Sequence, residues 1–376
     1  MKQAALALAL VLTAAPAYAQ LGGLGKAIRK GSDAKEKADK VRDLVVTEAD
    51  ERRIGEKVSD RVRQEFGVFQ DKAITKYVAL VGTVMAQVST RPDLKWEFIV
   101  LDTDGVNAFA SPGGLVHITR GALGLIKSEG ELAGVLGHEI AHITKKHTVK
   151  AIQKNKGVAL AADVAPGSNA FVEGLANAAY DNIVERGFDR GDEEDADQEG
   201  IRLANKVGYN PAGLGTFLTK LDERNKEQST EERNALFASH PETKGRIDKI
   251  TRQSRSEKLN ATATVQPRYA SHITFDVSPL SAIATVVAGT RGVAGAGGKE
   301  ADKAEEKEKP KKRGFGLGSL PLSGGKQAES TQASASAGNR AVGTDRAAKG
   351  GPNPSKLTLP ALTPAELEAF KKGIAG

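Results

Sequence analysis

The sequence predicts an α+β domain, mainly helical, with a small β-sheet beside one helix that carries a histidine–glutamate motif. Three observations lead there. Amphipathic helical patterns occupy residues 47–67 and 71–89. Aromatic and β-branched clusters follow at 95–102 and 106–119. A capped helical run, "SEGELAGVLGHEIAH", comes directly after them, at 128–142.

In chain order, "MKQAALALALVLTAAPAYAQ" comes first and has the parts of an export signal. Lys2 supplies the positive start, a short apolar run follows, and Ala17-Tyr18-Ala19 is a small-x-small cleavage pattern. Residues 1–19 are therefore expected to be a signal peptide, with a mature start near Gln20 and a periplasmic or secreted destination. Residues 20–46 read as a linker or helix of mixed charge. Residues 47–260 read as the folded domain. The segment "TEADERRIGEKVSDRVRQEFG" is its first helix, with Thr47 as cap, and "DKAITKYVALVGTVMAQVS" is its second. "KWEFIVLD" is a strand, and "VNAFASPGGLVHIT" is two short strands around a Pro-Gly-Gly turn. Ser128 and Glu131 form a capping box that opens the motif helix. Residues 261–376 read as a low-complexity tail, disordered over 290–360, because too little apolar surface is available to offset the ordering entropy. "TPAELEAFKKGIAG" reads as one short helix at the end.

Composition removes several functions. The 376 residues include no cysteine, which excludes disulfides, thiolate zinc sites, a cysteine nucleophile and a lipid-modified N-terminal cysteine. The net charge of +7 lies mostly in mixed-sign segments without interleaved aromatics, so nucleic acid is not expected as a partner. An anionic envelope surface is the one weak contact this charge leaves open. The stretch "GVALAADVAPGSNAFVEGLANAAYDNIV" is broken by Asp163, Pro166 and Gly167, and no membrane span is expected in the mature chain.

The chemistry concentrates in "VLGHEIAHITKKH". Residues advance about 100° each on a helix, so His138 and His142 stand about 40° apart, one turn above the other. Two imidazoles so placed can grip one ion, and Glu139 beside them suits a general base for a metal-activated water. His147 falls about 180° from His138 on a continued helix, and reads as a hydrogen-bonded structural histidine. A catalytic zinc wants three protein ligands, and without cysteine the third is a histidine or a carboxylate. On a helix over 192–207, Ala196, Gly200, Leu203, Ala204 and Val207 form a small, apolar stripe. Glu193 sits near its centre and Asp197 about 40° away. Carboxylates on a buried face need a cation or strong donors. Glu193 is thus the expected third ligand, with Glu194 at the stripe's edge as the weaker alternative. Asp197 is the expected acceptor that orients one ligand histidine.

"VNAFASPGGLVHITRGAL", "ELAGVLGHEIAHITKKH", "DRGDEEDAD" and "ASHPETKGRI" together resemble, in order, the gluzincin metallopeptidases of family 48, which include HtpX-type and CAAX prenyl proteases. The likeness covers roughly residues 47–255. It implies a mainly helical zincin-type fold, one zinc ion per chain on His138, His142 and Glu193, and Glu139 as base. It also implies that His240, of the His240-Pro241 pair, lies near the metal. Two roles are open to His240 there: stabilising the oxyanion, or occupying the metal's open position until substrate displaces it. The segment Asn107, Ala108, Phe109, Ala110, Pro112, Gly113 and Gly114 is expected to pair with an extended substrate as an added strand. The function implied is an exported zinc endopeptidase acting on protein or peptide substrates. A protease-like chaperone without essential proteolysis and a zinc hydrolase of peptidoglycan peptides are the alternatives.

Overall fold

A computed structural model describes residues 46–154, 164–226, 240, 243–278, 350–351 and 357–375. The expected signal segment, nearly all of 20–46 and most of 290–360 lie outside these residues.

The Thr47 hydroxyl accepts the Asp50 N–H at 3.1 Å and opens α1 (Glu48–Phe66). Ile54, Val58, Val62 and Phe66 follow at intervals of four and are buried as one stripe. After β1 (Val68–Phe69), Asp71 caps α2 (Lys72–Ala86) through the Ala73 and Ile74 N–H groups. Strands β2 (Glu97–Leu101), β3 (Ala108–Ser111) and β4 (Leu115–Thr119) come next. Gly113 and Gly114, at φ 74° and 99°, make the tight β3–β4 turn. The remaining elements are α3 (Arg120–Leu125), α4 (Glu129–Thr144), α5 (His147–Lys154), α6 (Asn169–Tyr180), a π-helical turn (Asp181–Arg186), α7 (Arg190–Val207), α8 (Gly213–Lys226), α9 (Thr243–Ser256), α10 (Gln266–His272), β5 (Gly350–Gly351) and α11 (Pro364–Ala375). No helix among the described residues is long and apolar enough to cross a membrane.

The five strands run in the order β3-β4-β2-β1-β5, mixed, with β2 and β4 parallel and the other pairs antiparallel. Strand alternation sorts the side chains. Phe98, Val100, Val116 and Ile118 face a core shared with α2 and α4, whereas Ile99, Leu101 and Phe109 face α1 and α6. Helices thus cover both faces of the sheet, and β3 is its edge.

Helix α4 is buried along its whole length. Its cap is the one the sequence predicts: the Ser128 hydroxyl accepts the Glu131 N–H at 3.2 Å, and the Glu131 carboxylate returns to the Lys127 N–H. It crosses α7 at two glycines. A Cβ on Gly200 would stand 2.8 Å from the His138 nitrogen, and one on Gly137 would stand 2.9 Å from the Gly200 carbonyl oxygen. The stripe of small residues read from the sequence is the surface that permits this approach.

Three pieces of the stretch assigned to a tail join the folded body. Tyr269 and Ile273 on and beside α10, and Leu367, Phe370 and Ile374 on α11, are buried in the core that contains α2. Strand β5 pairs with β1. The apolar residues involved are few and widely spaced, so a composition-based reading passes over them, although it does place a helix at the C-terminus.

A larger residue at the α4–α7 crossing has no space. Gly200→Val is expected to destabilise the protein by about 1–3 kcal/mol and to lower its metal content. Urea unfolding and metal analysis after dialysis check both; a variant as stable as its parent would show that α7 shifts freely.

Candidate metal centre

The α4–α7 crossing turns two rows of polar side chains toward one point. From α4 come His138, Glu139 and His142; from α7 come Glu193 and Asp197; His240 precedes α9, which supplies Arg246. All seven are buried. One ligating atom each from His138, His142, Glu193 and His240 lies within 4.8 Å of the other three. His138 Nε2 and His142 Nε2 are 3.0 Å apart, His138 Nε2 and His240 Nδ1 are 3.3 Å apart, and Glu193 Oε1 lies 2.8 Å from His240 Nδ1 and 3.3 Å from His142 Nε2. Ligands held at about 2.0–2.2 Å around a tetrahedral zinc stand roughly 3.3–3.5 Å from one another. The donor set of three imidazoles and one carboxylate therefore fits a four-coordinate zinc ion with small adjustments, His240 Nδ1 taking the fourth corner.

Around these atoms the remaining charges are arranged in pairs. Asp197 Oδ1 lies 3.0 Å from His138 Nδ1, the nitrogen that faces away from the cluster. Arg246 grips Asp197 in a two-pronged pair at 2.7 and 2.8 Å and reaches Glu193 Oε2 at 2.7 Å. Burial pushes the Asp197 carboxyl up, but Arg246 and His138 outweigh it and bring it down to about 2. Glu193 is likewise held well below the usual carboxylate range by His240 and Arg246, against its burial. Glu139 goes the other way: burial raises it, and its Oε1 sits 3.8 Å from His240 Nε2.

Beside Glu139 opens a cleft of about 400 Å³, lined by Asn107, Ala108, Val135, Leu214, Phe217, Leu218 and Leu221. Of the segment expected to bind substrate, Asn107 and Ala108 thus reach the cleft. Phe109 turns to the other sheet face, its ring 5.3 Å from that of Phe66. Ala110 packs in the core with α2 and α4. Pro112 stands behind His142 with Glu51, and Gly113 lies against Arg52 of α1. Gly114 lies close to Lys95. Glu194, the weaker ligand alternative, is outside the cluster and paired with Lys249. Pro241 lies outside the described residues.

Two residues of the site are absent from the sequence reading, and a third is misplaced by it. Arg246 was the missing donor: the need of two buried carboxylates for a cation was legible, but the surface-like "ETKGRI" gave no sign that its arginine is buried. Phe188 stacks on the His142 ring at 4.0 Å. His147 is hydrogen-bonded, as expected, but not on the far side of α4. That helix ends at Thr144, and His147 begins α5 with its Nδ1 3.0 Å from His142 Nδ1.

Comparison with known proteins agrees with this geometry. Residues 72–254 match the model of Peptidase family M48. The chain is 25% identical over 218 residues to the beta-barrel assembly-enhancing protease of Yersinia pestis, covering 55% of this chain and 44% of that protein. It is 30% identical over 206 residues to the mitochondrial metalloendopeptidase OMA1 of Schizosaccharomyces pombe, covering 53% and 60%. It is 27% identical over 149 residues to the metalloprotease LoiP of Escherichia coli, covering 39% and 57%. The matched region spans about half the length of these relatives.

Removing the guanidinium should strand two buried carboxylates. Arg246→Met is expected to destabilise the metal-free protein by about 3–5 kcal/mol, and added zinc should restore part of that loss. Urea titrations with and without zinc measure it; an unchanged metal-free midpoint would remove Arg246 as the countercharge.

Proposed function

We propose, from the membership of this chain in peptidase family M48 over residues 72–254, that it is an exported zinc-dependent endopeptidase acting on protein substrates. The observation that carries the proposal is the convergence of His138, His142, Glu193 and His240 within 4.8 Å, with Glu139 beside them at the mouth of an apolar cleft. His138, His142 and Glu193 would hold the ion. When bound, zinc supplies a Lewis acid that polarises a carbonyl and makes water a nucleophile near neutral pH.

The chain's own residues then do the rest. Glu139 accepts a proton from the attacking water and passes it to the leaving amine. Its buried setting, which favours the protonated form, suits the second half of that task. Asp197, whose Oδ1 stands 3.0 Å from His138 Nδ1, would orient that ring and keep Nε2 directed at the cluster, and Arg246 fixes Asp197 in turn. Strand β3 lies at the sheet edge beside the cleft. In the antiparallel pairing Asn107 and Phe109 bond toward β4, so Ala108 and Ala110 turn their backbone groups away from β4, the side on which an extended peptide would pair. The apolar cleft suits side chains of unfolded protein, and with the export signal expected over residues 1–19 this favours turnover of misfolded or envelope proteins.

His240 we assign as a resting block rather than an oxyanion donor. Its Nδ1 is 2.8 Å from Glu193 and 3.3 Å from His138 Nε2, the place of a fourth ligand. A catalytic zinc would need that place open, so His240 would have to move aside for water.

The experiment compares wild type, Glu139→Gln and His240→Ala at equal zinc content on casein, a short peptide and purified sacculi. Glu139→Gln should keep its zinc and lose about 10²–10⁴-fold in rate. His240→Ala should raise basal peptide hydrolysis; a drop of about a hundredfold would instead make it the oxyanion donor. Undiminished function of Glu139→Gln in cells would favour the chaperone reading, and cleavage of sacculi alone would redirect the substrate class.

A further inference from the structure

His142 is the ligand histidine whose outer nitrogen meets no carboxylate. Its Nδ1 lies 3.0 Å from Nδ1 of His147, with the two rings nearly perpendicular at 80°. If His142 Nε2 faces a metal, its Nδ1 must carry the proton, and a donor at 3.0 Å requires an acceptor. Nδ1 of His147 must then be bare, and the neutral ring must carry its own proton on Nε2. That nitrogen points at carboxylates: Asp195 Oδ2 at 3.4 Å and Asp192 Oδ1 at 3.7 Å, both on α7. Asp195 Oδ1 is in turn held by Lys145 Nζ at 3.1 Å. The row has one consistent direction, with His142 donating to His147, the Nε2 of His147 facing Asp195, and Lys145 donating to Asp195.

The backbone gives a second, independent sign. On a continued α4, His147 would face away from the ligands. Instead the helix stops at Thr144, and Lys146 adopts φ 57°, a left-handed conformation that is strained for a non-glycine residue. That turn brings His147 back beneath the last turn of α4. It is tied down on both sides: Lys145 pairs with Asp195, and Lys146 pairs with the buried Glu51. Glycine would make the same turn without strain but would lose the Glu51 pair.

We propose that His147 is the positioning residue of the ligand His142: its neutral imidazole accepts the His142 Nδ1–H, fixing that ring's tautomer and its angle to the metal. The proposal rests on the metal reading given above. It makes the two ligand histidines unlike. His138 is backed by a carboxylate locked to arginine, and His142 by a neutral ring clamped between Phe188, the α4–α5 turn and α7. Partners of this kind typically contribute a factor of ten to a hundred in metal affinity.

The test uses the full chain as wild type, His147→Phe, which keeps a ring but cannot accept, and His147→Gln, whose carbonyl oxygen can. Zinc affinity is measured by chelator competition, and the thermal midpoint of each metal-free protein is recorded beside it. His147→Phe should bind zinc about 10- to 100-fold more weakly, with His147→Gln recovering most of the loss, at comparable metal-free midpoints. A merely structural histidine predicts the opposite pattern, in which both variants lose metal-free stability and zinc affinity follows stability. Wild-type affinity in His147→Phe, or an equal loss in His147→Gln, would overturn the proposal. Should the phenylalanine variant fail to fold, long-range proton–nitrogen spectra of zinc-loaded wild type decide: the proton must sit on Nε2 of His147 and on Nδ1 of His142, and a proton on His147 Nδ1 rejects the assignment. Wild type that takes up no zinc removes the metal reading itself, a different failure from wild type that binds zinc with the other tautomer.

Discussion

The structure depends on how closely α4 and α7 approach. Gly137 and Gly200 meet where any side chain would fall under 3 Å from backbone or from a neighbouring residue. Ligand atoms around a tetrahedral ion must stand roughly 3.3–3.5 Å apart, so a displacement of one helix by a methyl group's width would separate Glu193 from the two histidines. Backbone against backbone is the arrangement with the least slack, because neither partner has rotamers to adjust. The sheet contributes indirectly. Its two faces are packed by helices on both sides, so α4 has a fixed bed beneath it and β3 a fixed place beside it.

Burial of charge follows from that crossing. Around the ligand atoms lie three buried carboxyl groups, Glu139, Glu193 and Asp197, and one buried guanidinium, Arg246. With all four ionised the deficit is two positive charges, which is what one divalent cation supplies. The same excess of negative charge and burial shifts the site's titrating groups toward their protonated forms: burial raises Glu139, and Glu193 and Glu139 raise His240 in spite of its burial. Arg246 divides its guanidinium between Glu193 and Asp197, so the group that would bind the ion and the one that would orient a ligand share one counterion. The same division explains why the α9 arginine belongs to the site: it pairs with the carboxylates that stand beside the histidines.

Much of this was legible from residue types and spacing, and the exceptions share a cause. The positions of His138, Glu139 and His142 follow from the helical period, and Glu193 and Asp197 from a stripe of small residues on a second helix. The cap at Thr47, the capping box at Ser128 and the Pro-Gly-Gly turn were readable because their signals are local. His147 was misplaced relative to α4 because a helix was extended through Lys145 and Lys146; nothing in two lysines announces a left-handed turn, whose cost is offset by contacts to Glu51 and Asp195 distant in sequence. Arg246 and Phe188 were missed for a similar reason: burial is decided by which elements pack together. The docking of α10 and α11 shows the limit of composition, since a handful of apolar residues spread over a polar stretch suffices once a groove exists to receive them.

Those C-terminal pieces complete a pattern of restraint on the motif helix. At its start, Glu129 is wholly buried and accepts from Tyr77 at 2.7 Å, Tyr209 at 2.6 Å and Arg268 Nε at 2.7 Å. An acid in the first turn also suits the helix dipole. Arg268 belongs to α10 and lies over the ring of Phe370 of α11, 4.1 Å from its centre. At the other end, the left-handed turn and the row from His142 through His147 to Asp195 fix α4 to α7. The motif helix is therefore pinned at both termini by buried polar contacts and along its middle by glycine crossings. Polar clamps are specific in register where apolar packing alone is not: a helix that slid or rotated by one residue would leave Glu129 without its donors and His142 without its acceptor, each costing about 1–3 kcal/mol. Catalytic geometry needs its supporting groups held in place before substrate arrives. In this fold that rigidity comes from the ends of α4 and from its glycine crossing with α7.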